Sequence, residues 1–156
     1  MARRRRAEKR HIKADPNYGD VDLARFINRI MRHGKRTTAQ RIVYKALQQI
    51  EEQARQTGMD VFRQALRNAA PAVEVRSRRV GGATYQVPRE IRIERQLSLS
   101  IKWLVIAAQA RTGRPMAERL AQELIEASRG QGAAVKRKED LHRMADANRA
   151  FAHYRW

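Results

Sequence analysis

Apolar residues recur every three or four positions along most of this chain, but between Val73 and Val87 the repeat drops to two. Val73 and Val75 alternate with Glu74 and Arg76; after Val80-Gly81-Gly82-Ala83, Tyr85 and Val87 alternate with Thr84 and Gln86. A period of two belongs to a strand, whose side chains point alternately to opposite faces. Two such runs joined by Gly-Gly read as a β-hairpin, because glycine accepts the positive φ of a tight hairpin turn. Nothing else in the sequence resembles a strand that could extend the sheet, and Pro88, with no N–H to donate, suits only an edge or a strand end. The fold class is therefore mainly α, with one two-stranded arm at about residues 73–91 that is rooted in helices and projects from them.

The remaining segments carry helical signals. Asp20 starts a pattern in which Leu23, Ile27, Ile30 and Met31 form one stripe and Gly34 supplies a stop. Thr37 or Thr38 is placed to cap a second helix with Ile42, Val43, Ala46, Leu47 and Ile50 inward, ending near Gly58. Asp60 opens a third, closed by Pro71. A fourth follows Arg92 with Leu97, Ile101, Leu104 and Val105 buried, and Pro115 starts a fifth through Leu120 and Leu124. A basic loop, Lys136-Arg137-Lys138, precedes a sixth through Leu141, Met144 and Ala145. This predicts about six helices in one bundle-like domain over residues 20–148, a basic N-terminal extension at 1–19, and a basic, aromatic C-terminal tail at 149–156. The extension is expected to order on meeting its partner.

Charge narrows the function. Of 156 residues 34 are Lys or Arg and 16 are Asp or Glu, a formal charge of +18. Such a chain calls for a polyanion, and 27 of the 34 cations are arginine, whose planar fork grips phosphate through two hydrogen bonds. Cysteine is absent, which excludes a disulfide framework, thiolate zinc ligands and a cysteine nucleophile. No apolar run is long enough to span a bilayer, and MARRRRAEKR is not followed by a signal-peptide core, so no membrane partner is expected.

Catalysis finds little support. The four histidines lie in four contexts without a second ligand at metal spacing. His142 and Asp146 sit one helical turn apart, which alone is an ordinary surface pair. Gly81-Gly82 lacks the Lys-Ser/Thr ending and the following helix of a phosphate loop. The chain is read as no enzyme, with no cofactor and no metal.

Positive charge is instead gathered on separate elements, while Glu51-Glu52 and Glu118, Glu123 and Glu126 gather elsewhere. Segregation of sign is the electrostatic footprint of a nucleic-acid binder. Tyr85 beside the hairpin arginines could stack on a base or pack at the hairpin root. A helical body with a basic β-arm also suits a DNA-architectural protein, but those arms end in an apolar wedge and this tip is glycine. Basic faces on several sides fit a folded RNA better.

EVRSRRVGGATYQVP at 74–88, RQLSLSIKWL at 95–104, FINRIMRHGKRTTAQRIVYKAL at 26–47 and ADANRAFAHYRW at 145–156 follow in order, and together they resemble the bacterial small-subunit ribosomal protein seven family. The resemblance runs essentially end to end. It implies a structural protein of the cytoplasmic ribosome that binds the 3′ major domain of small-subunit rRNA, starts assembly of the subunit head and touches neighbouring ribosomal proteins. It also implies a hairpin near the exit-site tRNA and the mRNA path, at Val80, Gly81, Gly82, Ala83 and Tyr85. Carried over by position, the rRNA-binding residues are Arg3, Arg4, Arg5, Arg6, Lys9 and Arg10 of the extension, then Arg25, Arg29, Arg32, Lys35 and Arg36. The hairpin adds Arg76, Arg78 and Arg79, followed by Arg95 and Lys102; apart from the resemblance, the charge of the basic loop adds Lys136 and Lys138. Ile93, Gln96 and Lys102 depart from the family pattern of proline, arginine and arginine; Lys102 keeps the charge without the bidentate fork.

Overall fold

The computed structural model describes residues 10–155. It contains α1 (Val21–Ile30), α2 (Arg36–Ala54), α3 (Gly58–Ala69), β1 (Val73–Val80), β2 (Ala83–Glu90), α4 (Ile93–Ala110), α5 (Met116–Ser128), α6 (Ala133–Ala147) and a C-terminal 3-10 helix (Arg149–Arg155). Among the described residues the hairpin is the whole sheet, and no helix is long and apolar enough to cross a membrane.

Local chemistry explains most boundaries. Asp20 caps α1: its Oδ1 accepts from the N–H groups of Asp22 at 2.8 Å and Leu23 at 3.0 Å, a contact worth ~1 kcal/mol. Its Oδ2 takes Arg63 of α3 at 3.0 Å. Burial pushes the Asp20 carboxyl up, but these hydrogen bonds outweigh it and hold the group below the usual aspartate range. Gly81 and Gly82 have φ of 57° and 90°, the two positive values of a type I′ turn. Two helix starts differ from expectation. Neither Thr37 nor Thr38 caps α2, which begins at Arg36 after an uncapped Lys35, and α3 starts at Gly58, leaving Asp60 in its first turn.

Two larger corrections concern the C-terminal third. Lys136, Arg137 and Lys138 are not a loop; they fall in the first two turns of α6. Buried Ala134 and Val135 drive the helix to start early, and the Glu123 carboxylate accepts the Ala134 N–H at 3.1 Å. Arg149–Arg155, read with Trp156 as a tail, wind into the 3-10 helix, which packs on β2; Trp156 lies outside the described residues.

The core is one cluster. α5 lies against α2, α3, α4 and α6, and α4 against α1, α3, α5 and α6. Fully buried Phe26 of α1 meets Phe62 of α3 edge-on, centroids 5.1 Å apart. The hairpin packs against α6, and Val87, Pro88 and Ile91 are buried at its root.

Candidate nucleic-acid interface

Burying Leu23, Phe26 and Ile27 turns the opposite side of α1 to solvent, with Arg25 and Arg29 one turn apart on it. α4 brings Lys102 up beside them, and Arg10 and His11 come in from the N-terminal segment. Together they line an open groove of about 810 Å³ whose apolar side includes Val21, Leu97 and Ile101. Among the described residues Glu94 is the one carboxylate in the groove lining. Arg25 also pairs with Asp22 at 3.1 Å, but both side chains are over two-fifths exposed, so water weakens the pair to ~0.5 kcal/mol. Arg29 and Lys102 form no side-chain hydrogen bond or ion pair to any other described residue. The N-terminal segment, α1 and α4 thus converge cations on one concavity.

Arg32 and Lys35 sit in the turn after α1, where His33 and Gly34 take positive φ of 52° and 73°. They line a separate recess of about 380 Å³ that reaches Gln109 and Met116. Arg36, at the start of α2, is exposed.

The hairpin arginines divide by position. Arg76 of β1 and Arg95 of α4 share one carboxylate, Glu74, each at 2.7 Å. Burial pushes Glu74 up, but the two guanidinium hydrogen bonds dominate and hold it below the usual glutamate range. Arg78 is half-buried and donates to the Tyr154 carbonyl at 3.2 Å. Arg79, near the tip, is exposed. Directly opposite Arg78 in the antiparallel register stands Tyr85, whose ring packs against Phe151 at 5.1 Å and Tyr154 at 5.2 Å. The Tyr85 ring thus packs on the C-terminal helix, near the tip and not at the hairpin root. The tip itself, Gly81, Gly82 and Ala83, is exposed beside half-buried Val80.

Other expected contacts lie apart. Lys138 donates to the Asn68 carbonyl at the end of α3 at 2.7 Å, so its ammonium already satisfies a helix C-terminus. Lys136 is exposed on α6, remote in sequence from α1 and lining a shallow depression with Glu139, Asp140 and Arg143. Arg3, Arg4, Arg5, Arg6 and Lys9 lie outside the described residues. His142 accepts the Ala72 N–H at 3.1 Å, which gives it a structural partner at the hairpin root. Among the described residues no group of three His, Asp or Glu could hold a metal ion.

Sequence reasoning missed the buried ionic junction. Glu123 is fully buried, and both it and Glu126 bind Arg111 at the end of α4; Glu123 to Arg111 is 2.6 Å. The Glu126 hydrogen bond leads, with Glu123 beside it, in holding the Arg111 guanidinium above its ordinary pKa despite burial. The other Glu123 oxygen caps α6, so a single carboxylate ties α4, α5 and α6 together. The spacing of Glu123 and Glu126, one turn apart, marked a shared face but gave no sign that the face was covered.

The ribosomal protein S7p/S5e family model matches residues 2–149. Curated relatives named small ribosomal subunit protein uS7 are similar along the full length. That of Xanthobacter autotrophicus is 58% identical over 156 residues, all of both chains. That of Methylobacterium radiotolerans is 59% identical over the same span, and that of Thermotoga petrophila 58% over 154 residues, 99% of each chain. The helical body, the single hairpin and the end-to-end match agree: this chain belongs to the ribosomal protein S7p/S5e family, whose members are structural components of the ribosome and not enzymes.

Proposed function

We propose that this chain is a primary binder of small-subunit rRNA, in its 3′ major domain, from which assembly of the subunit head starts. The observation that carries this reading is the groove between α1 and α4, where Arg25, Arg29 and Lys102 converge with a single carboxylate among the described lining residues. The helical body over residues 20–148 serves as a rigid platform, and the extension at 1–19 adds phosphate contacts. The arm at 73–91 reaches outward to exit-site tRNA and the mRNA path, its exposed Arg79 and glycine tip meeting RNA while Arg76 and Arg78 hold the arm's geometry. Small-subunit proteins placed beside it in the head complete the partners.

Binding of this kind is dominated by counterion release, so affinity falls steeply with salt, by a log–log slope of about −0.7 to −0.9 per phosphate neutralised. Titrating a transcript of the rRNA head domain across a range of salt tests it; a flat response contradicts the electrostatic account. Tighter binding to bent duplex DNA than to that transcript would favour the DNA-architectural alternative.

A further inference from the structure

Asp15 is a carboxylate only 2% exposed, and no cation among the described residues pairs with it. Burying such a group is costly unless hydrogen bonds replace its water. Here they come from the Tyr44 hydroxyl at 2.8 Å and the N–H groups of Asn17 at 3.2 Å and Tyr18 at 3.3 Å. The Asp15 and Gly19 N–H groups close the same turn onto the Asp20 and Asp15 carbonyls. The result is to fix two tyrosines relative to each other, centroids 5.8 Å apart and tilted by 52°, with Tyr18 left 39% exposed.

This pair lines an open groove of about 750 Å³ on the outer face of α2. Arg41 and Lys45, one turn apart and both exposed, flank it, and neither forms a side-chain hydrogen bond or ion pair to another described residue. Glu51 stands six residues beyond Lys45, anchored by the Gly58 N–H at 3.1 Å. Among the described residues, none of the rRNA-contact positions expected from the sequence lies in this groove. Oriented aromatic faces beside cations recognise unpaired bases, because every base has a π-face and its phosphate takes the cation.

We propose that Tyr18 is a stacking platform for one unpaired RNA base, with Arg41 and Lys45 on the flanking phosphates. The Glu51 carboxylate, close enough to Tyr18 to act on its hydroxyl, repels phosphate from that end, so the base faces Tyr18 and the backbone runs toward Arg41 and Lys45. This rests on the reading of the chain as an RNA binder, yet it uses a different surface and a different force from the α1–α4 groove. Phosphate neutralisation fades with salt; stacking persists.

The test uses the full chain and a short single-stranded oligoribonucleotide carrying the fluorescent base 2-aminopurine, titrated at low and high salt. Tyr18→Ala should remove the high-salt quenching and cost roughly tenfold in affinity, within the range for losing one stacked base, while Tyr18→Trp retains both. Arg41→Gln with Lys45→Gln should weaken binding mainly at low salt. Thermal melting of each variant shows that the fold persists; if Tyr18→Ala unfolds the chain, Tyr18→Leu, which keeps bulk without a π-face, replaces it. Unchanged quenching in Tyr18→Ala or Tyr18→Leu overturns the proposal, as does a preference of this surface for an acidic peptide over the oligonucleotide. Loss of head-domain RNA binding in an Arg25, Arg29 and Lys102 variant with the stacking signal intact would support both sites, whereas intact head-domain binding in that variant would defeat only the groove reading.

Discussion

Arg29 and Arg111 are the same residue type in opposite situations. Arg29 stands exposed on α1 with no ion pair to another described residue, while Arg111 is three-quarters buried and bound by two carboxylates, Glu123 and Glu126. In a chain of net charge +18 the second arrangement absorbs both carboxylates inside the fold, leaving the α1–α4 groove with little to neutralise it. What distinguishes an arginine that holds a fold from one that waits for a polyanion is where the nearest carboxylates are folded. The hairpin contains both kinds in one strand: Arg76 shares Glu74 with Arg95, and Arg79 projects at the tip.

The comparison is most severely tested at the junction. Arg111→Ala leaves Glu123 buried without its partner, which should cost about 3–5 kcal/mol and lower the midpoint of thermal unfolding by roughly 6–20 °C, with RNA affinity unchanged below the transition. Replacing Arg25, Arg29 and Lys102 together with glutamine should do the reverse. Head-domain RNA affinity should fall by about a hundredfold and the salt slope become shallower by about 2 to 3, with the same melting midpoint as the parent chain. If the groove variant melts early or the junction variant loses RNA at low temperature, the division between the two arginine classes fails.

Smaller effects sharpen it. Gly82→Ala forces a Cβ onto φ of 90° and should cost about 1–2 kcal/mol of hairpin stability, read by hydrogen exchange along β1 and β2 while the helices keep their protection. The smallest effect is in acid. Glu74 and Asp20 have folded-state pKa values below their unfolded ones, so the stability they contribute is fully present above the unfolded carboxylate range and lost as pH falls through the folded values. Melting curves should therefore be flat for these groups near neutrality and decline only in acid, and Arg95→Gln should move the decline at Glu74 to higher pH.

Much of the fold was legible because it depends on local chemistry. The Asp20 cap, the period change at 73, the Gly-Gly turn and the apolar stripe of α1 each need only neighbours in sequence. The features that escaped depend on distant partners. Lys136-Arg137-Lys138 looked like a loop because three cations in a row suggest solvent; helix begins there because Ala134 and Val135 are buried and Glu123, eleven residues back, caps them. Thr37 and Thr38 were plausible caps that Lys35 displaced, since Ala39 and Val43 must face the core. The C-terminal residues lacked a helical stripe of their own, and Phe151 and Tyr154 pack against Tyr85 on β2, more than sixty positions away. For the interface, the α1 arginines were readable from the wheel. Their meeting with Lys102, more than seventy positions away, was not, nor was the binding of Lys138 to the end of α3.

The central claim is that the α1–α4 groove is where RNA is held. Chemical footprinting of the small-subunit rRNA head domain, with the parent chain and with the Arg25, Arg29 and Lys102 variant at equal concentration, addresses it directly. The account predicts a compact set of backbone protections with the parent chain that disappears in the variant while the variant's fold is intact. Protections that survive unchanged in the variant would contradict it.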